Sequence, residues 1–146
     1  MKTFTWIVLG LGLALSACQP PSPAHTLRGQ WQFMAYENLA TGQRTWQPEH
    51  VPQAPIGNFD DQGRRGKFRI ETNTNAIWGR YQMHESGSFE TTEIDGTLFA
   101  DNRWTTDLWS AMEDAHYYQV DSRFDTMRIV YDGDKRLIWA RVRGEE

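Results

Sequence analysis

The side chain best suited to chemistry in this chain is the thiol of Cys18, the single cysteine among 146 residues. A thiolate can attack carbon, pair with a second cysteine or bind a metal ion. Without a second cysteine, we expect no internal disulfide. The four histidines are not spaced as in a zinc site, alone or with the cysteine; they are His25, His50, His84 and His116. The chemistry left to Cys18 is covalent modification of its own sulfur.

The residues before this thiol have the layout of an export signal. Met1-Lys2 supplies a positive start, and the stretch from Trp6 to Leu15 is apolar. That apolar run of about ten residues is half of what a membrane-spanning helix needs. We therefore predict a signal peptide at residues 1–17, and no transmembrane anchor.

Leu15-Ser16-Ala17-Cys18 resembles the lipobox of bacterial lipoproteins, in which small residues fit a peptidase and the cysteine accepts a diacylglycerol. The motif falls directly after the apolar run. We predict that Cys18 is the lipid attachment site and the first residue of the mature protein. Two alternatives stay open: an ordinary secretory signal cleaved near Ala17, which leaves a free thiol, and an N-terminal segment that joins the core.

An acylated Cys18 anchors the chain to a membrane, since each buried methylene contributes about 0.8 kcal/mol. The next residue is Gln19, where an aspartate would resemble an inner-membrane signal. The expected location is therefore the cell envelope, on the periplasmic side of the outer membrane if the host is Gram-negative. Residues 18–26 contain three prolines and predict an extended tether.

Residues 27–146 are expected to form one β domain. The formal net charge of the chain is −4. This acidic balance argues against nucleic acid as a partner, because phosphate binding needs a basic face.

Other polar motifs carry weaker predictions. Asp60-Asp61, with Glu49-His50 upstream, offers oxygen ligands for a divalent cation, but a solvated loop is the simpler interpretation. Asp132-Gly133-Asp134 lacks the further acidic positions of a calcium loop, so a hairpin turn is expected. No Gly-x-Ser-x-Gly motif and no glycine-rich phosphate loop occurs. We therefore predict a protein without enzymatic activity, cofactor or metal.

Tryptophan is the most unusual feature of the composition, with seven residues in the chain. Three of them lie in predicted strands and are expected in the core or barrel lining: Trp31, Trp78 and Trp139. Trp46 and Trp104 lie at the ends of loops or strands. Because aromatic residues dominate binding hot spots, we predict that these two border a ligand pocket or a partner surface.

The first half of the domain shows strand patterns separated by a long irregular stretch. Trp31, Phe33 and Ala35 alternate as in a strand. The segment Glu37–Arg65 contains Pro48, Pro52 and Pro55 and is expected to be a loop, with at most a short edge strand around Arg44–Gln47. Two more strands are predicted at Lys67–Glu71 and Ile77–Tyr81.

The second half predicts further strands and one helix. Ser88–Glu93 and Gly96–Ala100 are expected to form a hairpin that turns at Asp95-Gly96. Thr105-Thr106-Asp107 offers a helix start, and Ser110 with Glu113 has the spacing of a capping box that begins slightly later. The apolar stripe of this helix is formed by Leu108, Met112 and Ala115. The last strands are Tyr117–Asp121, Met127–Tyr131 and Leu137–Val142. The fold class is therefore mainly β: a small antiparallel barrel or strongly curved sheet, lipocalin-like, with one short helix.

The order of short motifs over residues 27–143 resembles the META domain of HslJ-like bacterial lipoproteins. The matching pieces are Gly29-Gln30-Trp31, Asn73-Thr74-Asn75, Gly79-Arg80-Tyr81, Thr105-Thr106, Met112-Glu113, Met127-Arg128-Ile129 and Leu137-Ile138-Trp139. Thr74 stands where the turn of that family often holds a cysteine. The resemblance implies a lipocalin-like or half-barrel fold, no established catalytic residues, and a loose link to stress response and envelope integrity.

Three functions fit these observations. The first is a non-catalytic envelope lipoprotein that acts through protein or surface contacts. The second is a lipocalin-type carrier of a small apolar ligand, which needs a hollow barrel. The third is a proteinaceous inhibitor of an envelope-directed enzyme that uses the Glu37–Arg65 segment as its insert.

Overall fold

The computed structural model describes residues 26–97, 99, 102–121, 123 and 125–144. The predicted signal peptide, Cys18 and most of the tether lie outside the described residues. The strands are β1 (Gly29–Asn38), β2 (Arg44–Trp46), β3 (Ile56–Gln62), β4 (Arg65–Glu71), β5 (Ala76–Met83), β6 (Phe89–Gly96), β7 (Ala115–Val120), β8 (Thr126–Tyr131) and β9 (Lys135–Arg141). The single helix among these residues, α1, spans Arg103–Glu113.

Eight of the strands form a nearly closed antiparallel barrel, which confirms the predicted fold class. Their order around the sheet is β6-β5-β4-β3-β1-β9-β8-β7, and β2 pairs with β1 off this path. The two end strands approach each other where Ser88 bridges Tyr117. There, the backbone N–H of Tyr118 donates to the carbonyl of Gly87 at 2.9 Å.

The barrel interior is packed with aromatic rings. Phe33 contacts Trp139 with ring centroids 5.1 Å apart, and Trp139 contacts Phe59 at 6.1 Å. The ring contacts continue across the barrel from Phe59 to Tyr81, Phe89 and Tyr118.

Inward-facing glycines make room for these rings. A Cβ atom on Gly57 would lie 2.9 Å from the ring of Phe59, and one on Gly79 would lie 2.7 Å from the ring of Phe68. Such spacing is too close for carbon atoms in contact. The side chains therefore fill this part of the interior to the limit that the backbone allows.

Strand β1 contains a bulge that changes which residues face inward. Phe33 is opposite Trp139 on β9, but after the register shift Tyr36 is opposite Leu137. Because directly paired residues share one face of a sheet, Phe33 and Tyr36 both point inward and Ala35 points outward. The predicted strand is confirmed, and burial alternates through Trp31, Phe33 and Ala35 as expected. Ala35 is nevertheless buried on the outer face of the sheet.

The helix closes one end of the barrel. Its N-cap is Asn102, whose side chain accepts the backbone N–H of Thr105 at 3.0 Å. The helix therefore begins earlier than the predicted Thr105–Asp107 start. Ser110 lies inside it, so the capping-box prediction is wrong. Leu108 and Met112 are buried as predicted, whereas the third residue of the stripe, Ala115, begins β7.

Two further predictions of secondary structure are wrong. The segment Glu37–Arg65 is not one loop: it contains β2, where an edge strand was expected, and also β3. Asp95-Gly96 is not a turn, because both residues extend β6 and pair with Trp78 and Ile77. A Cβ on Gly96 would clash with the ring of Trp109, so close packing explains this glycine.

The second half of the predicted hairpin, Gly96–Ala100, is not a strand where it is described, and residues 98 and 100 lie outside the described residues. The turn at Asp132-Gly133-Asp134 is confirmed, with φ values of 47° at Asp132 and 70° at Gly133. The described part of the chain contains no helix with the length and apolarity to cross a membrane.

Candidate functional site

The main candidate site is an open cleft of about 470 Å³ where α1 meets the sheet, which we call the helix cleft. Its walls combine aromatic rings from three elements with a few charged groups at the rim. The lining residues are Tyr36, Thr45, Pro48, His50, Arg103, Trp104, Asp107, Tyr131 and Lys135.

Trp104 forms one wall of the helix cleft and is fixed in place by other rings. Its ring centroid lies 4.8 Å from that of Phe33 and 6.0 Å from that of Tyr36. The hydroxyl of Tyr36 donates to the backbone carbonyl of Trp104 at 2.5 Å. This wall is therefore held rigidly by β1 and the first turn of α1.

The indole N–H of Trp104 is buried and has no hydrogen-bond partner within the described part of the chain. A buried donor left unpaired costs about 1–3 kcal/mol. Trp104 as a whole is only 7% exposed.

The two tyrosines of the helix cleft remain neutral near pH 7. Burial, and secondly the nearby Asp107 carboxylate, raise the pKa of the Tyr36 hydroxyl. Burial also raises the pKa of Tyr131, and Asp107 acts in the same direction. Tyr131 therefore presents a protonated hydroxyl and an apolar ring to the cleft, whereas Tyr36 presents its ring and uses its hydroxyl to hold Trp104.

Trp46 and Trp104, both predicted to border a ligand pocket or a partner surface, lie in different places. Thr45 is paired with Tyr36, and both line the helix cleft. Trp46 is the next residue along β2, so it points to the opposite face. It is 52% exposed there, with the guanidinium of Arg44 5.6 Å from its ring. A partner surface that includes both tryptophans on one face is not supported by this geometry.

The three tryptophans predicted in the core or barrel lining also differ in burial. Trp31 and Trp139 are fully buried and line the barrel, as predicted. Trp78 was expected in the core, but it lies on the outer face and is 36% exposed. Its side chain packs beside Arg69, whose guanidinium lies 5.8 Å from the ring.

The acidic pair predicted in a loop lies in β3 and is separated by the strand itself. Asp60 points outward to Arg28, with 3.2 Å between carboxylate and guanidinium. Asp61 points inward and accepts the hydroxyl of Tyr81 at 3.0 Å. These carboxylates cannot share one cation. Across the described residues, no group of three His, Cys, Asp or Glu side chains is placed to hold a metal ion.

Sequence reasoning missed Tyr36 and Tyr131 as cleft residues. The bulge in β1 turns Tyr36 inward. No residue type between Phe33 and Tyr36 predicts that a bulge occurs there. His50 and Asp107 were considered only for metal binding and for the start of the helix, respectively. The sequence feature that could have indicated the cleft is the presence of aromatic residues near the ends of the strands that flank α1.

Comparison with known proteins establishes the fold. No protein-family model and no curated protein matches the chain. It is similar to the NMR structure of a protein from Burkholderia xenovorans, with a TM-score of 0.65 and 15% sequence identity over 93% of this chain and 100% of that chain. At that identity, the likeness shows a shared fold alone.

Proposed function

We propose that this chain is a non-catalytic lipoprotein of the cell envelope, anchored through Cys18, whose META-like barrel binds an envelope protein at the helix cleft. The expected role is in stress response or envelope integrity. The partner contributes an apolar or aromatic side chain, because the cleft offers the rings of Tyr36, Trp104 and Tyr131.

The observation that carries this proposal is the position of the helix cleft relative to the tether. The described chain enters the barrel at Thr26 and Leu27, next to the start of β1, whereas Tyr36 lies near the end of that strand. Tyr36 lies seven residue steps along β1 from Gly29, or about 23 Å at roughly 3.3 Å per residue. The cleft therefore lies at the far end of the domain from the anchored segment, where a second protein has access.

The chemistry of the helix cleft favours binding over catalysis. Its hydroxyl groups belong to tyrosines whose pKa is raised, which makes them poor nucleophiles near pH 7. Opposite charges at the rim, Asp107 and Lys135, suit orientation of a polar partner surface.

The packed interior argues against a lipocalin-type carrier. Such a carrier holds its ligand along the barrel axis, where this chain places Trp31, Phe33 and Trp139 with no exposed surface. The inhibitor hypothesis needs a protruding insert between residues 37 and 65. That segment instead folds back onto the domain, with Val51 2% exposed and Ala54 9% exposed.

A complementation experiment tests the proposed function. A strain that lacks the protein is expected to become more sensitive to detergent and to cell-wall antibiotics. The wild-type chain should restore resistance, whereas Asp107→Arg, which reverses a charge at the cleft rim, should not. Glu113→Arg is the matched control, because it makes the same charge change at an exposed position of the same helix. A deletion without any envelope phenotype, or full rescue by Asp107→Arg, would contradict the proposal.

A further inference from the structure

The outer wall of β4 and β5 concentrates positive charge on a protein whose net charge is −4. Arg65, Lys67 and Arg69 follow one another at every second position of β4, so they share the outer face. Arg80 lies opposite Lys67 on β5. All four side chains are exposed, and we call them the cationic wall.

The cationic wall contains one pair of like charges, and each residue of this pair also has an acidic neighbour: Asp60 lies opposite Lys67, and Glu93 pairs with Arg80. Like charges directly opposite each other in an antiparallel pair destabilise the sheet, and Lys67 and Arg80 are such a pair. Two members of the wall have carboxylate partners: Arg69 pairs with Glu71 at 2.9 Å, and Arg80 pairs with Glu93 at 3.0 Å. Arg65 and Lys67 form no ion pair of 4 Å or less with any residue that the structure describes.

The cationic wall borders a broad concavity of about 740 Å³ with polar neighbours. Gln62 and Gln82 flank Arg65 on either side. At the other end of the wall, the exposed edge of Trp78 lies beside Arg69. A row of cations next to an amphipathic tryptophan is the combination that proteins use at membrane interfaces.

The anchored segment leaves the domain beside this wall. Arg28 lies two residues after Thr26, the first described residue, and its ion pair with Asp60 reaches the edge of the concavity. Asp60 in turn is opposite Lys67 across the β3–β4 pair. The eight residues from Cys18 to residue 25, which precede the described chain, span at most about 28 Å. The wall is therefore within reach of the lipid surface that would hold Cys18.

We propose that the cationic wall docks onto anionic phospholipid headgroups of the membrane that carries the anchor, so that the barrel lies on its β4–β5 side. This inference rests on the proposed lipid anchor, because the anchor brings the wall to the bilayer. Charge complementarity supplies the contact, and Trp78 enters the headgroup region. The helix cleft, at the far end of the barrel axis, stays open to a partner.

A label on the anchored protein tests this orientation. With Cys18 acylated, one introduced cysteine is the sole free thiol, so Gln62→Cys on β3 and Gln119→Cys on β7 can be labelled singly. In the strand order β3 adjoins β4 of the wall, whereas β7 is separated from β5 by β6, so position 62 lies nearer the wall than position 119. The labelled proteins are reconstituted into vesicles of phosphatidylcholine with or without about 30 mol% phosphatidylglycerol, which supplies a negative surface potential. Quenching of each label by a headgroup-linked quencher is then measured.

The expected result is strong quenching at position 62 and weak quenching at position 119 in anionic vesicles. The difference should shrink in neutral vesicles and in 0.5 M salt, a concentration at which the screening length is only about 4 Å. The double variant Arg65→Glu with Lys67→Glu should abolish it. The double variant Arg123→Glu with Arg143→Glu reverses two exposed charges away from the wall and should leave the quenching difference unchanged.

The outcomes separate the two proposals. Equal quenching at both positions in the anchored protein would contradict the proposed membrane contact of the cationic wall, without contradicting the proposed lipid anchor. A purified protein without acyl chains on Cys18 would contradict the proposed anchor. The membrane contact of the cationic wall is then tested by sedimentation of this unacylated protein with the same vesicles. If the unacylated wild type binds the phosphatidylglycerol vesicles and the Arg65→Glu, Lys67→Glu variant binds more than about 10-fold less tightly, the result supports the proposed membrane contact. If the wild type does not bind, the proposed contact is contradicted.

Discussion

The carboxylate of Asp61 accepts the backbone N–H of Leu27 at 2.9 Å, and this bond fixes the start of the domain to the barrel. The carbonyl of Leu27 is also engaged, because it accepts the indole N–H of Trp31 at 2.8 Å. The same oxygen of Asp61 accepts the hydroxyl of Tyr81, and the Leu27 side chain is fully buried. Leu27, the first residue of the domain after the tether, is therefore held by hydrogen bonds at both its N–H and its carbonyl and by burial of its side chain.

Replacement of Asp61 should loosen this end of the barrel. Asp61→Ala leaves the N–H of Leu27 and the hydroxyl of Tyr81 without their acceptor, so we expect a loss of about 2–4 kcal/mol in the free energy of unfolding. Urea unfolding measures that loss, and hydrogen exchange at the Leu27 amide should accelerate. Asp60→Ala, which removes only an exposed ion pair, should cost less than about 1 kcal/mol. Equal effects of the two variants would contradict this role for Asp61.

Glu37 predicts a specific pH dependence of stability. Its buried carboxylate accepts hydrogen bonds from Arg136 and Arg44, and the Arg136 bond in particular lowers its pKa below the ordinary value of 4.5. A lowered pKa in the folded state stabilises the protein above pH 4.5, and this contribution is lost as the pH falls toward the folded-state value.

The variant Glu37→Gln should therefore be less stable than the wild type by about 2 kcal/mol at pH 7. The difference should narrow as the pH falls below 4.5. Thermal unfolding at a series of pH values measures it. Glu71→Gln, at an exposed ion pair, is the control and should show little difference at either pH. A Glu37→Gln deficit that is constant from pH 7 to pH 3 would show that the charge of Glu37 is not its source.

The packed interior predicts that inward-facing glycines tolerate no side chain. Gly79→Ala would bring a methyl group against the ring of Phe68 and the backbone of Glu93. We expect a loss of about 1–3 kcal/mol from overpacking, measured by urea unfolding. Gly144→Ala is the control, because a Cβ there meets no atom within 4 Å. Full stability of Gly79→Ala would mean that the barrel has space on its axis, as a carrier requires.

Trp46 and Trp104 should respond differently to truncation. Trp104→Ala removes a buried ring beside Phe33, so we expect a cost of about 3–5 kcal/mol. Trp46→Ala removes an exposed ring and should cost less than about 1 kcal/mol. Iodide quenching gives a second comparison, because only Trp46 of these two is accessible to the ion. Similar unfolding costs for the two variants would contradict their different burial.

The regular parts of the fold follow from local patterns in the sequence. Alternation around Phe68 and Ile70 predicts β4, and the spacing of Leu108 and Met112 predicts α1, because burial of one face requires these periods. Strand β3 breaks this rule. Its inward positions are Gly57, Phe59 and Asp61, and only the phenylalanine looks like a core residue.

The site depends on features that are not local. Tyr36 faces the helix cleft because a bulge between Phe33 and Ala35 shifts the register of β1 against β9 by one residue. The cationic wall follows from the strand register that pairs Lys67 with Arg80. Strand tryptophans usually lie in the core, which predicts a buried Trp78. Ile77 occupies the inward position instead, so the next residue, Trp78, points outward.

The lipid anchor is tested most directly by mass spectrometry of the intact protein purified from its native membrane. We predict an amino terminus at Cys18, with a diacylglycerol on the sulfur and an acyl chain on the amine. A chain that still carries residues 1–17 and an unmodified thiol at position 18 would contradict it.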